Sequence, residues 1–486
     1  YFTAGFMLIL YGYNCYYYLY IFLRNKKKEI KKNSHFLKQF YLHFHSRHYP
    51  VVTTQLPVFN ERYVALRLID AVVKMDYPRD KHEIQILDDS TDETYNIIKE
   101  HIQKYRQQGY DIKHIHRTIR TDFKAGALQA GMLTARGEHL AIFDSDFIPP
   151  VDFLRNTIPY LMANPKVGFV QTRWGHLNRN SSFLTKAQSI GIDGHFIIEQ
   201  SARSWGGLFL NFNGTGGVWR KQTINEAGGW QGDTLTEDMD LSYRAQLAGW
   251  HTKFLYEVIC QAELPENMND FKSQQFRWAK GSIQTAKKLL PAIFKSKNPL
   301  KKKIQSFLHL THYSIHPLMV IMALASLPMI LYFKLDLYFY LYLFFFILII
   351  GASFAPSVMY ITSQYKQYPN WVSRLLIIPF LIAIGVGIAV NNTNAVISAL
   401  FGSKGDFIRT PKSGSTDKKK NKLKKNYILK LKPHFIIELF LAAYCLYSFY
   451  FYLYETKYII GPFILLYGIG FLVSSILSIK HHLFST

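Results

Sequence analysis

Four short patterns place charge where bond-making chemistry needs it. Asp88-Asp89-Ser90 follows an aliphatic run, and Asp144-Ser145-Asp146 follows Ala141-Ile142-Phe143. Thr236-Glu237-Asp238 follows a glycine-rich stretch, and Gln274-Gln275-Phe276-Arg277-Trp278 closes the series. Carboxylates at strand ends gather in space. An Asp-x-Asp there can hold Mg²⁺ or Mn²⁺ between carboxylate oxygen and a diphosphate, because hard cations select oxygen ligands and keep open positions. Alone, the spacing is equally that of a solvated turn. In Phe212-Asn213-Gly214-Thr215-Gly216-Gly217 the glycines permit close backbone approach by lacking Cβ. No Gly-Lys-Ser/Thr follows, so the stretch is not a phosphate loop.

The elements that must carry these residues alternate in type. Val51–Leu56, Ile84–Leu87, Ile112–His116 and His139–Phe143 have the β-branched and aliphatic content of strands, and Asn60–Met75, Asp92–Gln108 and Ala125–Ala135 have helical periodicity. Such alternation predicts a parallel sheet with ligands at the carboxyl ends of its strands. From Tyr49 to about Pro265 no apolar run reaches membrane length, so this part reads as a soluble α/β domain.

The 486 residues are 49% hydrophobic and 16% aromatic, with 57 Lys+Arg against 33 Asp+Glu, which excludes a disordered chain. Three windows, 24–32, 287–303 and 409–432, hold twenty-three bases and two acids, most of the +24 excess. Each flanks a stretch long enough to cross a bilayer. Positive-inside bias therefore accounts for the charge better than nucleic-acid binding does. Cys15, Cys260 and Cys445 have no close spacing, so neither a disulfide framework nor a thiolate metal site is expected, and the middle of the chain is expected in a reducing compartment.

Gly5–Leu23 reads as a first span, ending at Arg24. Ile315–Phe333 with Leu337–Tyr360, and Phe435–Leu453 with Tyr458–Leu477, read as two hairpins of spans. Leu375–Val390 is expected to be interfacial or re-entrant, broken near Pro379, Gly385 and Asn391, with a plain crossing as the alternative. The resulting plan is an N-terminal span at 1–24, a basic linker at 25–48, the soluble domain at 49–290 and interfacial and transmembrane helices at 291–480. The last part contains a loop at 405–414 and a basic loop at 415–432. No fused regulatory module is expected after the last span.

In their order along the chain, the four patterns resemble those of the membrane-integral family 2 glycosyltransferases, which include cellulose, hyaluronan, chitin and mannan synthases. The similarity is strongest to cellulose-synthase-like mannan and glucan synthases, through Leu56-Pro57-Val58-Phe59-Asn60-Glu61, Leu87-Asp88-Asp89-Ser90-Thr91-Asp92, Lys124-Ala125-Gly126-Ala127-Leu128 and Phe212-Asn213-Gly214-Thr215. The resemblance implies a GT-A-like (Rossmann-like) α/β domain on the cytoplasmic side, joined to an α-helical transmembrane bundle with interfacial helices.

It also implies roles. Asp238 would be the general base, and a deprotonated carboxylate is its ordinary state near neutral pH. Asp144 and Asp146 would hold the divalent cation, Mg²⁺ or Mn²⁺, as Lewis acid on the leaving diphosphate. Asp88, Asp89, Lys124, Asp144, Gln274 and Arg277 would contact the nucleotide sugar; Asn213, Gly214, Glu237 and Trp278 would contact the acceptor. Phe407-Ile408-Arg409-Thr410-Pro411-Lys412 resembles the family's gating loop with Arg409 in place of valine, so Thr410 and Lys412 would close over the diphosphate. The loop is alternatively a basic segment on anionic lipid. His195 and Glu199, spaced i,i+4, match the stretch beside the acceptor or form a helix-surface pair.

The expected activity is an inverting, processive hexosyl transfer that makes and exports a β-linked polysaccharide at the plasma or inner membrane. UDP-glucose is the first expected donor and GDP-mannose the second. A growing polysaccharide and membrane lipid are the expected partners, with no nucleic acid. The alternatives are a non-processive transferase acting on diacylglycerol or ceramide, and a non-catalytic membrane scaffold.

Overall fold

The computed structural model describes residues 2–44, 48–332, 339–402, 409–416, 431–455 and 461–484. Eight strands form one sheet: β1 (Val52–Val58), β2 (His82–Asp88), β3 (Asp111–His116), β4 (His139–Ile142), β5 (Phe147–Ile148), β6 (Val167–His176), β7 (Gly217–Arg220) and β8 (His251–Ala262), in the order β3-β2-β1-β4-β7-β6-β8-β5. The first four are parallel, as the alternation of elements predicts. The second half is mixed: β7 runs antiparallel to β4 and β6, β8 is parallel to β6, and β5 is antiparallel to β8. The expectation of a wholly parallel sheet is therefore corrected. The glycine-rich segment sits at the carboxyl end of β4, where Gly216 N–H donates to Ile142 O, so β7 starts at that end and can only run back.

Helices α2 (Ala65–Val73), α3 (Thr94–Gln107) and α5 (Phe153–Ala163) cover one face of the sheet, their Leu68, Ile98 and Ile158 packing with Leu56, Ile86 and Phe143. The other face packs Leu128 of α4 (Phe123–Thr134) with Phe169, Phe212, Trp219 and Phe254. Both layers bury the apolar side chains of an α/β sandwich, which fixes the strand ends in one row. The same second cluster takes in Tyr18 and Phe22 from α1 (Phe2–His43).

Helix α1 does not stop at Arg24. It continues for 42 residues, because the lysine-rich run is helix-permissive, and its far end packs Phe36 against Tyr160 at 4.6 Å between ring centroids. After β6 come α6 (Phe183–Asp193), a π-helical stretch (Gly194–Gln200) and α7 (Ser201–Trp205). α8 (Lys221–Glu226) and α9 (Glu237–Leu247) follow β7. α10 (Met268–Lys295) leaves the domain, started by Asn267, whose side chain accepts from Asn269 N–H.

The remaining helices are α11 (Leu300–Leu310), α12 (Ile315–Tyr332), α13 (Phe339–Gln367), α14 (Trp371–Leu375), α15 (Ile378–Gly387), α16 (Ala389–Phe401), α17 (His434–Tyr454) and α18 (Gly461–Phe484). Among the described residues four helices are long and apolar enough to cross a membrane, and two bent pairs bring the number to six if each pair is one span. One pair joins α11 to α12 with a 52° bend. The other joins α14–α15 to α16 with a 41° bend at the break after Gly387. The expected break in Leu375–Val390 thus falls at Ile388. Residues 403–408 and 417–430, which include the first four residues of the loop expected at 405–414 and most of that expected at 415–432, lie outside the described residues.

Candidate active site

The carboxyl ends of β1, β2 and β4, the loop before β7, the first turn of α9 and the middle of α10 enclose one cleft. Of the residues singled out from sequence, Asp89, Lys124, Asp144, Asp146, Asn213, Gly214, Glu237, Asp238, Gln274, Arg277, Trp278, Thr410 and Lys412 all line it. Asp88 does not. It is fully buried behind the cleft, where Oδ1 accepts from Ser90 N–H and Oδ2 pairs with His114 Nε2, each at 2.8 Å. Its geometry orders the end of β2, and Asp89 is the member of the pair that faces the cavity.

The Asp-x-Asp pattern meets two lysines from different parts of the chain. Lys124 Nζ lies 2.5 Å from Asp144 Oδ1 and donates to Gly214 O at 2.9 Å. Lys412 Nζ lies 2.7 Å from Asp146 Oδ2 and donates to Glu263 O at 2.6 Å. Burial works against the Lys124 charge, yet Asp144, Glu237 and Asp238 around it hold its pKa above the ordinary value. A raised pKa keeps this lysine cationic at any physiological pH.

Glu237 and Asp238 open α9, where the helix N-terminus favours negative charge. Asp238 Oδ1 accepts from Met239 N–H at 2.8 Å. Gly214 has φ +77°, and a Cβ there would stand 3.0 Å from Asp238 Oδ2 and 3.3 Å from Lys124 Nζ. Glycine is thus required twice, by backbone conformation and by space.

Burial, then the neighbouring Glu237, push Asp238 up to about 7. This corrects the expectation of an ordinary ionised aspartate near neutral pH. The cause is that Glu237, Asp238 and Asp144 share one cavity, so like charges add to desolvation. A carboxyl group poised near 7 suits a general base better than one at its usual value. Burial lowers the pKa of Arg277, while Glu237, Asp144 and Asp238 attract its charge and partly offset that effect.

A polar chain runs back from the Asn213 side of the cleft. Asn213 Nδ2 lies 3.1 Å from His195 Nε2, His195 Nδ1 lies 2.9 Å from Glu199, and Glu199 accepts from Arg203 Nε at 3.0 Å. Arg203 then donates to Tyr18 of α1. Burial opposes the Glu199 charge, but His195, Arg203 and His309 hold its carboxyl well below the usual range. Both residues lie on the π-helical stretch, a geometry that recurs at functional sites. Trp278, half-buried, lines the cleft on α10 with Gln274 and Arg277.

The segment 409–416 is docked over the cleft. Arg409 pairs with Glu61 at 2.9 Å, Ser413 N–H and Oγ donate to Glu263 Oε1 at 2.9 and 3.1 Å, and Arg67 reaches Gly414 O at 3.4 Å. The Thr410 hydroxyl is buried and has no hydrogen-bond partner among the described residues. Phe407 and Ile408 lie outside them. Sequence reasoning gave Glu61, Glu263, His114, Arg117 and Arg120 no role. The basic run His116-Arg117-Thr118-Ile119-Arg120 just past β3 could have flagged the two arginines, whereas nothing local marks Glu263.

No three His, Cys, Asp or Glu groups among the described residues cluster as a closed metal site. Asp144 and Asp146 instead offer hard oxygen donors on an open cleft. Two carboxylates completed by diphosphate and water fit Mg²⁺ or Mn²⁺, which keep waters and bind through few protein ligands.

Residues 50–281 match the family model described as glycosyltransferase like family 2. Over 254 residues the chain is 42% identical to probable glucomannan 4-beta-mannosyltransferase 7 of Oryza sativa subsp. japonica, covering 51% of this chain and 43% of that relative. The chain thus spans under half the length of the curated relative it matches. Among solved structures it is similar to the mannosyltransferase PcManGT from Pyrobaculum calidifontis in complex with GDP-Man and Mn²⁺, with a TM-score of 0.51 at 18% identity over 82% of this chain and 99% of that one. The domain has the GT-A fold, a curled mixed sheet of Rossmann-like type.

Proposed function

Because residues 50–281 form a glycosyltransferase family 2 domain, we propose that the chain is an inverting, processive hexosyltransferase that transfers mannose from GDP-mannose to a growing β-linked glycan. One observation carries this reading: Asp238, the Lys124–Asp144 pair, Arg277 and Trp278 share a single cleft, so base, leaving-group charges and an apolar ring platform converge. Asp238 takes the proton of the acceptor hydroxyl as that oxygen attacks the anomeric carbon. The bond to the diphosphate breaks on the opposite face, and one displacement inverts the centre. Lys124 and Arg277 stabilise the charge on the departing diphosphate, Arg through planar paired donors and Lys as a point charge. A divalent cation held by Asp144 and Asp146 would add Lewis-acid stabilisation of the same charge.

The donor order expected from the motifs is reversed here, since those motifs serve glucan and mannan synthases alike while the relative at 42% identity is named a mannosyltransferase. The membrane-length helices and the basic windows support a cytoplasmic domain whose α10 hands the polymer to the helices beyond. Purified protein in detergent, offered radiolabelled GDP-mannose or UDP-glucose, tests the reading. Polymer formed from GDP-mannose and cut by β-mannanase supports it. Glucanase-sensitive polymer from UDP-glucose alone would overturn the donor, and a single-sugar glycolipid would overturn processivity.

A further inference from the structure

The π-helical stretch Gly194–Gln200 grips one cleft side chain from two sides. His195 Nε2 lies 3.1 Å from Asn213 Nδ2, and Gln200 Nε2 donates to Asn213 Oδ1. His195 and Gln200 are five residues apart. On an α-helix such residues point about 140° apart around the axis, too far for both to reach one amide. A π-helix closes its turns between residues i and i+5, which brings 195 and 200 to one face. The irregular winding is what lets a single segment take both the nitrogen and the oxygen of Asn213.

The partners fix where the protons are. Against burial, His195, Arg203 and His309 keep Glu199 ionised, and a carboxylate only accepts. His195 Nδ1, 2.9 Å from Glu199, therefore carries the ring proton. Nε2 of the neutral ring is then an acceptor, and it meets the amide nitrogen of Asn213, which only donates. Turning the amide over would set its nitrogen against the Gln200 N–H and its oxygen against the Nε2 lone pair. One orientation survives. The backbone is held as well, since Asn213 N–H donates to Gln171 Oε1 at 2.9 Å. The amide commits one N–H and one lone pair to the clamp and keeps one of each. Asn213 lines the cleft and adjoins Gly214, whose missing Cβ leaves room for Asp238 Oδ2.

We infer that His195 and Gln200 are positioning residues that fix the polarity of the Asn213 amide, so that its remaining N–H and oxygen align a hydroxyl of the acceptor sugar with Asp238. The inference rests on the reading above that the cleft transfers a hexose to a glycan, and it adds what aligns that glycan with its base. A hydroxyl donates and accepts, so an amide of fixed polarity orients it. Glu199 acts one step further back, by setting the tautomer of His195.

Steady-state transfer by the purified protein in detergent, to β-1,4-mannotetraose from GDP-mannose and to cellotetraose from UDP-glucose, tests the inference. The pair that wild type uses serves for the variants, and titration with the matching nucleoside diphosphate is run on the same preparations. His195→Leu should lower kcat/KM for the oligosaccharide roughly 10- to 100-fold, as misplaced reactants do, and leave the affinity for the nucleotide unchanged. His195→Gln sets a carbonyl acceptor near the place of Nε2 and should recover most of that loss. In an Asn213→Ala background, His195→Leu should cost less than about threefold more, because the group through which it acts is gone. Losses that multiply in the double variant, or a His195→Gln protein as poor as His195→Leu, would overturn the inference and leave the transferase reading standing. A wild-type protein that extends neither oligosaccharide would overturn the glycan-acceptor reading, and this inference with it.

Discussion

Lys412 sets its ammonium 2.7 Å from Asp146 Oδ2, just as Lys124 sets its own 2.5 Å from Asp144 Oδ1. Each carboxylate of the Asp-x-Asp pattern is thus matched by a lysine, one from inside the domain and one from the docked segment. The two pairs differ in what breaking them does. Lys124 belongs to the cavity wall, whereas Lys412 arrives with a strap that also holds Glu61 and Glu263.

Lys412→Ala should therefore raise the affinity of the nucleotide-free protein for Mn²⁺ several-fold, because no ammonium then competes for Asp146. On the proposed function it should also raise the donor KM, since the cleft loses a positive charge where the diphosphate would lie. Electron paramagnetic resonance of bound Mn²⁺ and steady-state kinetics check the two effects separately. Unchanged Mn²⁺ affinity would show that the pair does not compete with the cation.

Asp238 links activity to pH. With its carboxyl near 7, kcat/KM should rise with pH through about 7 and level off above it. Glu237→Gln removes the charge that, after burial, raises Asp238 most, so the rising limb should move to lower pH. Stability runs the other way: the folded pKa lies above the ~3.9 of an unfolded aspartate, so this group's contribution is complete below about pH 4 and is lost as pH rises through about 7. Asp238→Asn should cut transfer by ~100-fold or more, and its Tm relative to wild type should be higher at pH 8 than at pH 5.

Gly214→Ala places a methyl group 3.0 Å from Asp238 Oδ2 on a backbone with φ +77°. A displacement of about 1 Å in the base should lower kcat by ~100-fold, with nucleotide binding retained. Single-turnover transfer and GDP titration on the same preparation separate the two.

Trp278→Ala removes the ring platform beside Gln274 and Arg277. Stacking on an aromatic face is worth on the order of 1 kcal/mol, less than the ~100-fold that misplacing the acceptor costs. Positioning dominates, so polymer length should collapse while donor affinity stays near wild type. Product sizing by gel filtration checks this, and normal-length polymer at a normal rate would remove the tryptophan from acceptor binding.

Lys272, on α10 just ahead of Gln274, is buried against Glu438 of α17 at 2.7 Å and Ser478 of α18 at 2.7 Å. Glu438→Gln leaves the ammonium without its counter-charge and should destabilise the protein by about 3–5 kcal/mol. Lys272→Met combined with Glu438→Leu should be less harmful than either single change. Thermal unfolding of Glu438→Gln, the two single apolar variants and the double variant in one detergent decides it.

The parallel half of the sheet was legible because aliphatic strands and periodic helices follow one another between Val52 and Ile142. The mixed half was not, since β7 has only four residues and its direction is set by where the glycine loop ends. Asp88 and Asp89 are identical in type, so only the structure separates the one turned toward His114 from the one turned toward the cleft. The pKa of Asp238 was illegible for another reason: it depends first on burial and then on Glu237, Lys124 and Asp144 sharing a cavity, and spacing along the chain carries neither. The grip of Arg409 on Glu61 joins residues 348 positions apart, beyond any local pattern.

That separation has a consequence in time. A ribosome adding roughly 5–20 residues per second takes about 17–70 s to go from Glu61 to Arg409. Throughout that interval the nascent domain presents Asp146, Glu263 and Glu61 without the basic strap that later pairs with them, so the order of synthesis leaves these three carboxylates uncovered until the helices between have been made.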